Sequence, residues 1–255
     1  MIERFRALAA VGVFALLAAC GGPPPGIPSQ FSDAAPHDWR GRMPIHYEIH
    51  GVDVSRYQGN INWDAAARGG VSFAFIKATE GGDVADPTFQ QNWIQARMAG
   101  VPRGAYHFYY FCRTAEEQAA WYISHVPRET GALPPVLDME WTRSRTCPVR
   151  REPEWYRGEA GRFLAILEQY YGQRPVIYTT VDFFRDNEMW RLGPYEFWLR
   201  SVAGHPSDVY PGHGWQFWQW TGTGLAAGFS GQVDINAFGG SRREWLSWLA
   251  NRSQR

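Results

Sequence analysis

Leu133-Pro134-Pro135-Val136-Leu137-Asp138-Met139-Glu140-Trp141 is an apolar run that begins at paired prolines and ends in two carboxylates. Val136, Leu137 and Met139 suit a buried strand, and proline is tolerated where a strand starts. Side chains alternate along a strand, so Asp138 and Glu140 share one face while Leu137 and Met139 enter the core on the other. Like charges at that range oppose joint ionisation, which raises one pKa and leaves a proton-holding acid beside an ionised carboxylate. Such a pair suits glycoside cleavage. A structural ion pair, or carboxylates capped by hydroxyls or arginines, accounts for the same tripeptide without chemistry.

The flanking sequence repeats a strand–helix rhythm. Upstream, Ile49–Ser55, Val71–Lys77 and Gly104–Tyr110 read as strands. Asn62 caps a short helix through Arg68, Asp86-Pro87 opens a helix that ends at Ala99-Gly100, and Thr114–Glu117 is a capping box for a helix to about Val126. Downstream come a helix over about Pro153–Tyr171, a strand at Pro175–Thr179 and a short helix at Val181–Trp190. The rhythm then changes. Glu196–Val202, Trp215–Trp220 and Val233–Phe238 read as strands with no full helix between them, before a capped helix from Ser241 through Ala250. Five strand–helix repeats and three helix-poor strands predict an α/β fold: a single eight-stranded TIM-like barrel of the (β/α)5(β)3 type. Catalytic groups of such barrels sit at the C-terminal strand ends. Asp53, Lys77, Glu80, Tyr106, Asp138, Glu140, Tyr178, Trp220 and Asp234 fall at or near those ends.

Composition bounds the function. The 255 residues carry 25 basic and 25 acidic side chains, a balance that argues against a nucleic-acid partner. Thirteen tryptophans exceed ordinary core needs; packing must absorb most of them, and stacking on sugar rings is a use for the rest. The histidines lack metal-ligand spacing and there is no phosphate loop, so no cofactor is expected. Residues 1–20 combine Arg4 and Arg6 with an apolar run, Ala7–Ala19, that is too short to span a membrane. The ending Leu17-Ala18-Ala19-Cys20 resembles a bacterial lipoprotein signal, which implies acylation of Cys20 and an exported, periplasm-facing protein on an unspecified membrane. An ordinary secretory signal is the alternative. Residues 21–44 read as a Pro/Gly-rich linker and residues 45–255 as the catalytic barrel. With Cys20 lipidated, Cys112 and Cys147 remain, and export favours a disulfide between them.

Six motifs in order resemble glycoside hydrolase family 25, the lysozyme-type muramidases. They are Gly51-Val52-Asp53-Val54-Ser55 with Tyr57-Gln58-Gly59, Phe75–Gly81, Gly104–Phe108, Leu137–Glu140, Trp218-Gln219-Trp220 and Gly231–Asn236. The resemblance implies cleavage of the β-1,4 bond between N-acetylmuramic acid and N-acetylglucosamine in peptidoglycan by a monomer. It makes Glu140 the general acid, its pKa raised by Asp138 and partial burial. Asp138 would be the nucleophile or the group that orients the substrate's N-acetyl arm. Asp53 and Asp234 complete the acidic set, and Tyr106, Tyr178, Glu80, Trp220 and Arg200 are expected on the substrate. Lys77 is expected in a rim salt bridge with Glu80, and His107 in packing. Arg200 departs from the family pattern, in which a small residue and a tyrosine more often follow the strand-six tryptophan. A catalytically weak peptidoglycan-binding lipoprotein, or a hydrolase of another N-acetylated glycan, remains as an alternative.

Overall fold

A computed structural model describes residues 31–142, 147, 148 and 150–252. The stretch that resembles a lipoprotein signal, with Cys20, and the expected Gly21–Pro28 tether lie outside the described residues. Eight strands close on themselves: β1 (His50–Val54), β2 (Ala74–Glu80), β3 (Arg103–Phe108), β4 (Val136–Met139), β5 (Val176–Thr179), β6 (Glu196–Arg200), β7 (Phe217–Leu225) and β8 (Val233–Phe238). Neighbours from β1 through β7 pair in parallel, whereas β8 runs antiparallel to both β7 and β1 and seals the barrel.

Helices α1 (Trp63–Arg68), α2 (Phe89–Met98), α3 (Ala115–His125), α4 (Pro153–Tyr171) and α5 (Val181–Asp186) follow the first five strands. Asn62 Oδ1 accepts the Ala65 N–H at 3.0 Å, and Thr114 and Glu117 close their capping box in both directions. Gly172 ends α4 at φ 68°, the left-handed conformation that glycine adopts without a Cβ clash. Only the four-residue α6 (Pro206–Val209) interrupts the strands after α5, and α7 (Arg242–Arg252) ends the described chain.

Alternation splits the strands between two cores. Leu137, Met139, Ile177, Leu199 and Ile235 face outward beneath the helices. Phe73, Phe75, Val136, Val176, Trp198, Phe217 and Phe238 fill the barrel interior. Trp198 lies 4.7 Å from Phe75 and 4.5 Å from Tyr178 between ring centroids. Trp245 and Trp248 of α7 stack at 5.5 Å and plug the floor against Phe238 and Phe217. Most tryptophans are thus spent on packing. A Cβ on Gly51 would lie 2.4 Å from the Phe73 carbonyl oxygen, so only glycine lets β1 run this close.

Local expectations shift in three places, and the expected Cys112–Cys147 bridge is present. The stretch read as linker is anchored from Phe31: Ser32–Asp33 pairs with the end of β7, Phe31 is buried, and Trp39 packs edge-on against Trp218 at 5.2 Å. That pairing also carries β7 past Trp220 to Leu225. Asp86 does not cap α2; its carboxylate takes the Thr88 N–H and hydroxyl and the Arg56 N–H, and the helix starts at Phe89. The helix expected to reach Trp190 breaks where Glu188 turns left-handed at φ 48°, and a 3-10 turn, Met189–Leu192, follows. Cys112 and Cys147 are joined in a disulfide, Cα atoms 5.7 Å apart, linking the segment after β3 to that after β4.

Candidate active site

A cleft of about 390 Å³ opens at the C-terminal ends of the parallel strands. Asp53 from β1, Tyr106 from β3, Asp138 and Glu140 at the end of β4, Tyr178 from β5, Arg200 from β6 and Asp234 from β8 all line it. Asp234 is near the start of its strand, not the end. It reaches the mouth because β8 is reversed, which sets Asp234 opposite Asp53.

Asp53 is held from two sides. Its Oδ2 accepts the Gln219 amide at 2.9 Å and the Asn236 amide at 2.8 Å. The Trp198 indole N–H donates to Asn236 Oδ1 at 2.7 Å, and the Tyr178 hydroxyl donates to Gln219 Oε1 at 2.9 Å. These donors fix both amides with their N–H groups toward Asp53. Burial pushes the Asp53 carboxyl up to about 6 against the pull of those hydrogen bonds. Asp234, hydrogen-bonded to Asp53, is pushed up to about 8 by burial and by the Asp53 charge. The pair therefore shares one proton at neutral pH. Gly222 makes room for Asp234, since a Cβ there would lie 3.1 Å from Asp234 Oδ1.

Both carboxyls of the β4 pair are raised, as a like-charged pair should be. Asp138 is 6% exposed, and its Oδ1 has no hydrogen-bond partner among the described residues. Burial and then the Glu140 charge hold its carboxyl well above the usual range. Glu140 is half-buried at the cleft and raised by burial, with Arg200 pulling the other way. Both carboxyls are thus raised and titrate as one coupled pair. Burial also raises Tyr106 and Tyr178 well above the usual phenol range, keeping both as neutral donors.

Two expected substrate contacts fall elsewhere. Trp220 points outward, edge-on to His50 at 6.1 Å, because the alternation of β7 turns Phe217 and Gln219 inward and Trp218 and Trp220 away. Glu80 does not line the cleft; it binds Lys77 at 2.7 Å, and Lys77 does line it. His107 lies between sheet and helices, bonded to Thr79 and Gln118 and stacked on Phe163. Gln219, Asn236 and Trp198 received no site role from sequence. Their signal is the period-two alternation that puts Trp198, Gln219 and Asn236 on inward-facing positions of β6, β7 and β8. Among the described residues no group of three or more His, Cys, Asp or Glu side chains is placed to hold a metal ion.

Residues 52–229 match the glycosyl hydrolases family 25 pattern. That span contains Asp53, Asp138 and Glu140 and stops just short of Asp234. Lysozyme M1 of Streptomyces globisporus is 36% identical over 213 residues, 80% of this chain and 71% of that protein. The uncharacterized protein YegX of Escherichia coli is 35% identical over 213 residues, 82% and 76% of the two chains. Among solved structures, a family 25 glycosyl hydrolase from Bacillus anthracis superposes with a TM-score of 0.74 at 34% identity, covering 84% of this chain and 98% of that one. A lysozyme from Streptomyces coelicolor gives 0.71 at 34% identity, covering 80% and 97%. The fold, the acidic mouth and these likenesses converge: the chain is a glycoside hydrolase and belongs to glycosyl hydrolase family 25.

Proposed function

We propose that the protein is a muramidase that cleaves the β-1,4 bond between N-acetylmuramic acid and N-acetylglucosamine in peptidoglycan. The observation that carries the proposal is the convergence of Asp53, Asp138, Glu140 and Asp234 on one cleft at the barrel mouth. Its family membership and its likeness to lysozymes support that substrate.

Glu140 is the general acid. It is the more accessible of the β4 carboxyls, and burial raises its pKa so that it can protonate the leaving oxygen. Asp138 offers a buried oxygen with no partner, suited to accept the N–H of the substrate's acetamido arm. Once that N–H is in place the charged form of Asp138 is favoured, and the shared proton falls to Glu140 beside the leaving oxygen. The oriented acetamido carbonyl can then attack the anomeric carbon. Asp53 and Asp234 set charge and hydrogen bonds on the opposite wall, and Tyr106 and Tyr178 present neutral hydroxyl-bearing rings. The N-terminal pattern ending at Cys20 supports an exported, lipid-anchored protein facing the periplasm.

Mass spectrometry of digests tests the substrate. Muramic-acid reducing ends from peptidoglycan, with no products from a plain N-acetylglucosamine polymer, are expected. Cleavage of the plain polymer alone would contradict the proposal.

A further inference from the structure

Arg200 is the unexplained charge in the cleft. It ends β6, is half-buried and lines the cavity beside the acidic cluster. Its backbone is fixed: the carbonyl accepts the Tyr210 hydroxyl at 2.6 Å, and the next residue, Ser201, donates its N–H to the Gln219 carbonyl at 3.0 Å. Its guanidinium makes no hydrogen bond and no ion pair among the described residues. The other cation of the cleft is paired: Lys77 is bonded to Glu80, while Asp53 takes two amides and the Asp234 carboxyl. Arg200 lowers the pKa of Asp53, Glu140 and Asp234 through space, yet none of their oxygens comes within ion-pair distance. A guanidinium without a protein partner that lines a ligand cleft points to a partner that arrives with the ligand.

The chemistry of that partner follows from the guanidinium. Its planar fork matches a carboxylate in a bidentate pair. A cleft carrying several carboxyl groups otherwise repels an anionic substrate, so a lone cation there offsets the repulsion locally. N-acetylglucosamine carries no carboxylate. N-acetylmuramic acid differs from it by a lactyl arm that is a free acid in strands stripped of peptide and bears the stem peptide, with its own carboxylates, in strands that keep it.

We propose that Arg200 binds a carboxylate on the arm of the muramyl residue next to the scissile bond and so separates muramyl strands from neutral N-acetylated glycans. The inference rests on the muramidase reading and names the group by which this chain would recognise its sugar.

The test compares three ligands: peptide-free strands with free lactyl acids, the same strands with those acids converted to methylamides, and peptide-bearing strands. The whole protein, Arg200→Gln and Arg200→Lys are measured on each, for kcat/KM and for binding by calorimetry. The parent is expected to favour a carboxylate-bearing ligand over the methylamide strands at least tenfold. Arg200→Gln should erase that preference, and Arg200→Lys, which keeps the charge but not the fork, should keep part of it. An Arg200-dependent preference for the peptide-free acid identifies the lactyl group; one confined to peptide-bearing strands identifies the stem. A uniform loss across all three ligands, or a shift of the pH profile alone, would overturn the proposal and leave Arg200 as a field on the acids. If nothing is cleaved, the muramidase reading fails, and the calorimetric comparison still decides the role of Arg200.

Discussion

Gln219 donates its side-chain amide to Asp53 at 2.9 Å while its carbonyl accepts the Tyr178 hydroxyl, also at 2.9 Å. The β7 glutamine is therefore oriented by one wall of the cleft and favours the charged form of the carboxylate on the other. Hydrogen bonds to charged groups contribute about 1.5–3 kcal/mol. Replacing Gln219 with Leu should raise the Asp53 pKa by about one to two units, since about 1.4 kcal/mol corresponds to one unit. The acid limb of the kcat/KM profile should move upward with it. An unmoved limb, with only a lower plateau, would mean that Asp53 does not need this donor.

Much of the fold was legible because helix caps, glycine stops and apolar strands each announce themselves locally. Strand direction does not. A period-two pattern reads the same both ways, so Asp234 was expected at a strand's C-terminal end and instead reaches the mouth through the reversed β8. Phase was hidden too. Trp218-Gln219-Trp220 fixes alternation but not which set faces inward, and closure of the barrel chose Gln219. Phe31 and Trp39 lie in a polar, proline-bearing stretch, and only contacts with residues far along the chain reveal that they pack.

The contribution of the Asp53–Asp234 pair to stability should fall as pH rises from about 4 to about 8, against the opposite contribution of the buried His50 and His107 below about 6.5. Asp234 has a folded pKa of about 8 against an ordinary 3.8, and Asp53 is raised to about 6. Between the ordinary and raised values the folded state binds more protons than the unfolded one, so raising the pH favours unfolding. Asp234→Asn should flatten that slope in urea titrations run across the range. An equal slope in both proteins would show that Asp234 titrates normally in the fold.

Reducing the Cys112–Cys147 bond should destabilise the barrel without abolishing its strands. The bridge spans 35 positions. Chain-entropy reasoning puts the loss at about 3–4 kcal/mol. Urea midpoints with and without reductant measure it. No change would show that the bridge adds nothing to the stability of the isolated protein.

Trp245→Ala should unseat α7. Trp245 is 4% exposed and packs on Phe73, Phe217 and Phe238 at the barrel floor. Truncating a buried tryptophan costs about 3–5 kcal/mol. Thermal unfolding with a tryptophan-fluorescence readout would register the loss, and a variant as stable as the parent would place the plug outside the cooperative core.

The most direct test sets the parent beside Glu140→Gln and Asp138→Asn on purified peptidoglycan, counting muramic-acid reducing ends by mass spectrometry. Loss of general-acid catalysis predicts a fall of about 10²–10⁴-fold for Glu140→Gln. Asp138→Asn, which cannot take the charged form, should fall comparably while still binding strands. Parent-level release by Glu140→Gln would contradict the assignment of the leaving-group proton to Glu140, and with it the account of the β4 pair.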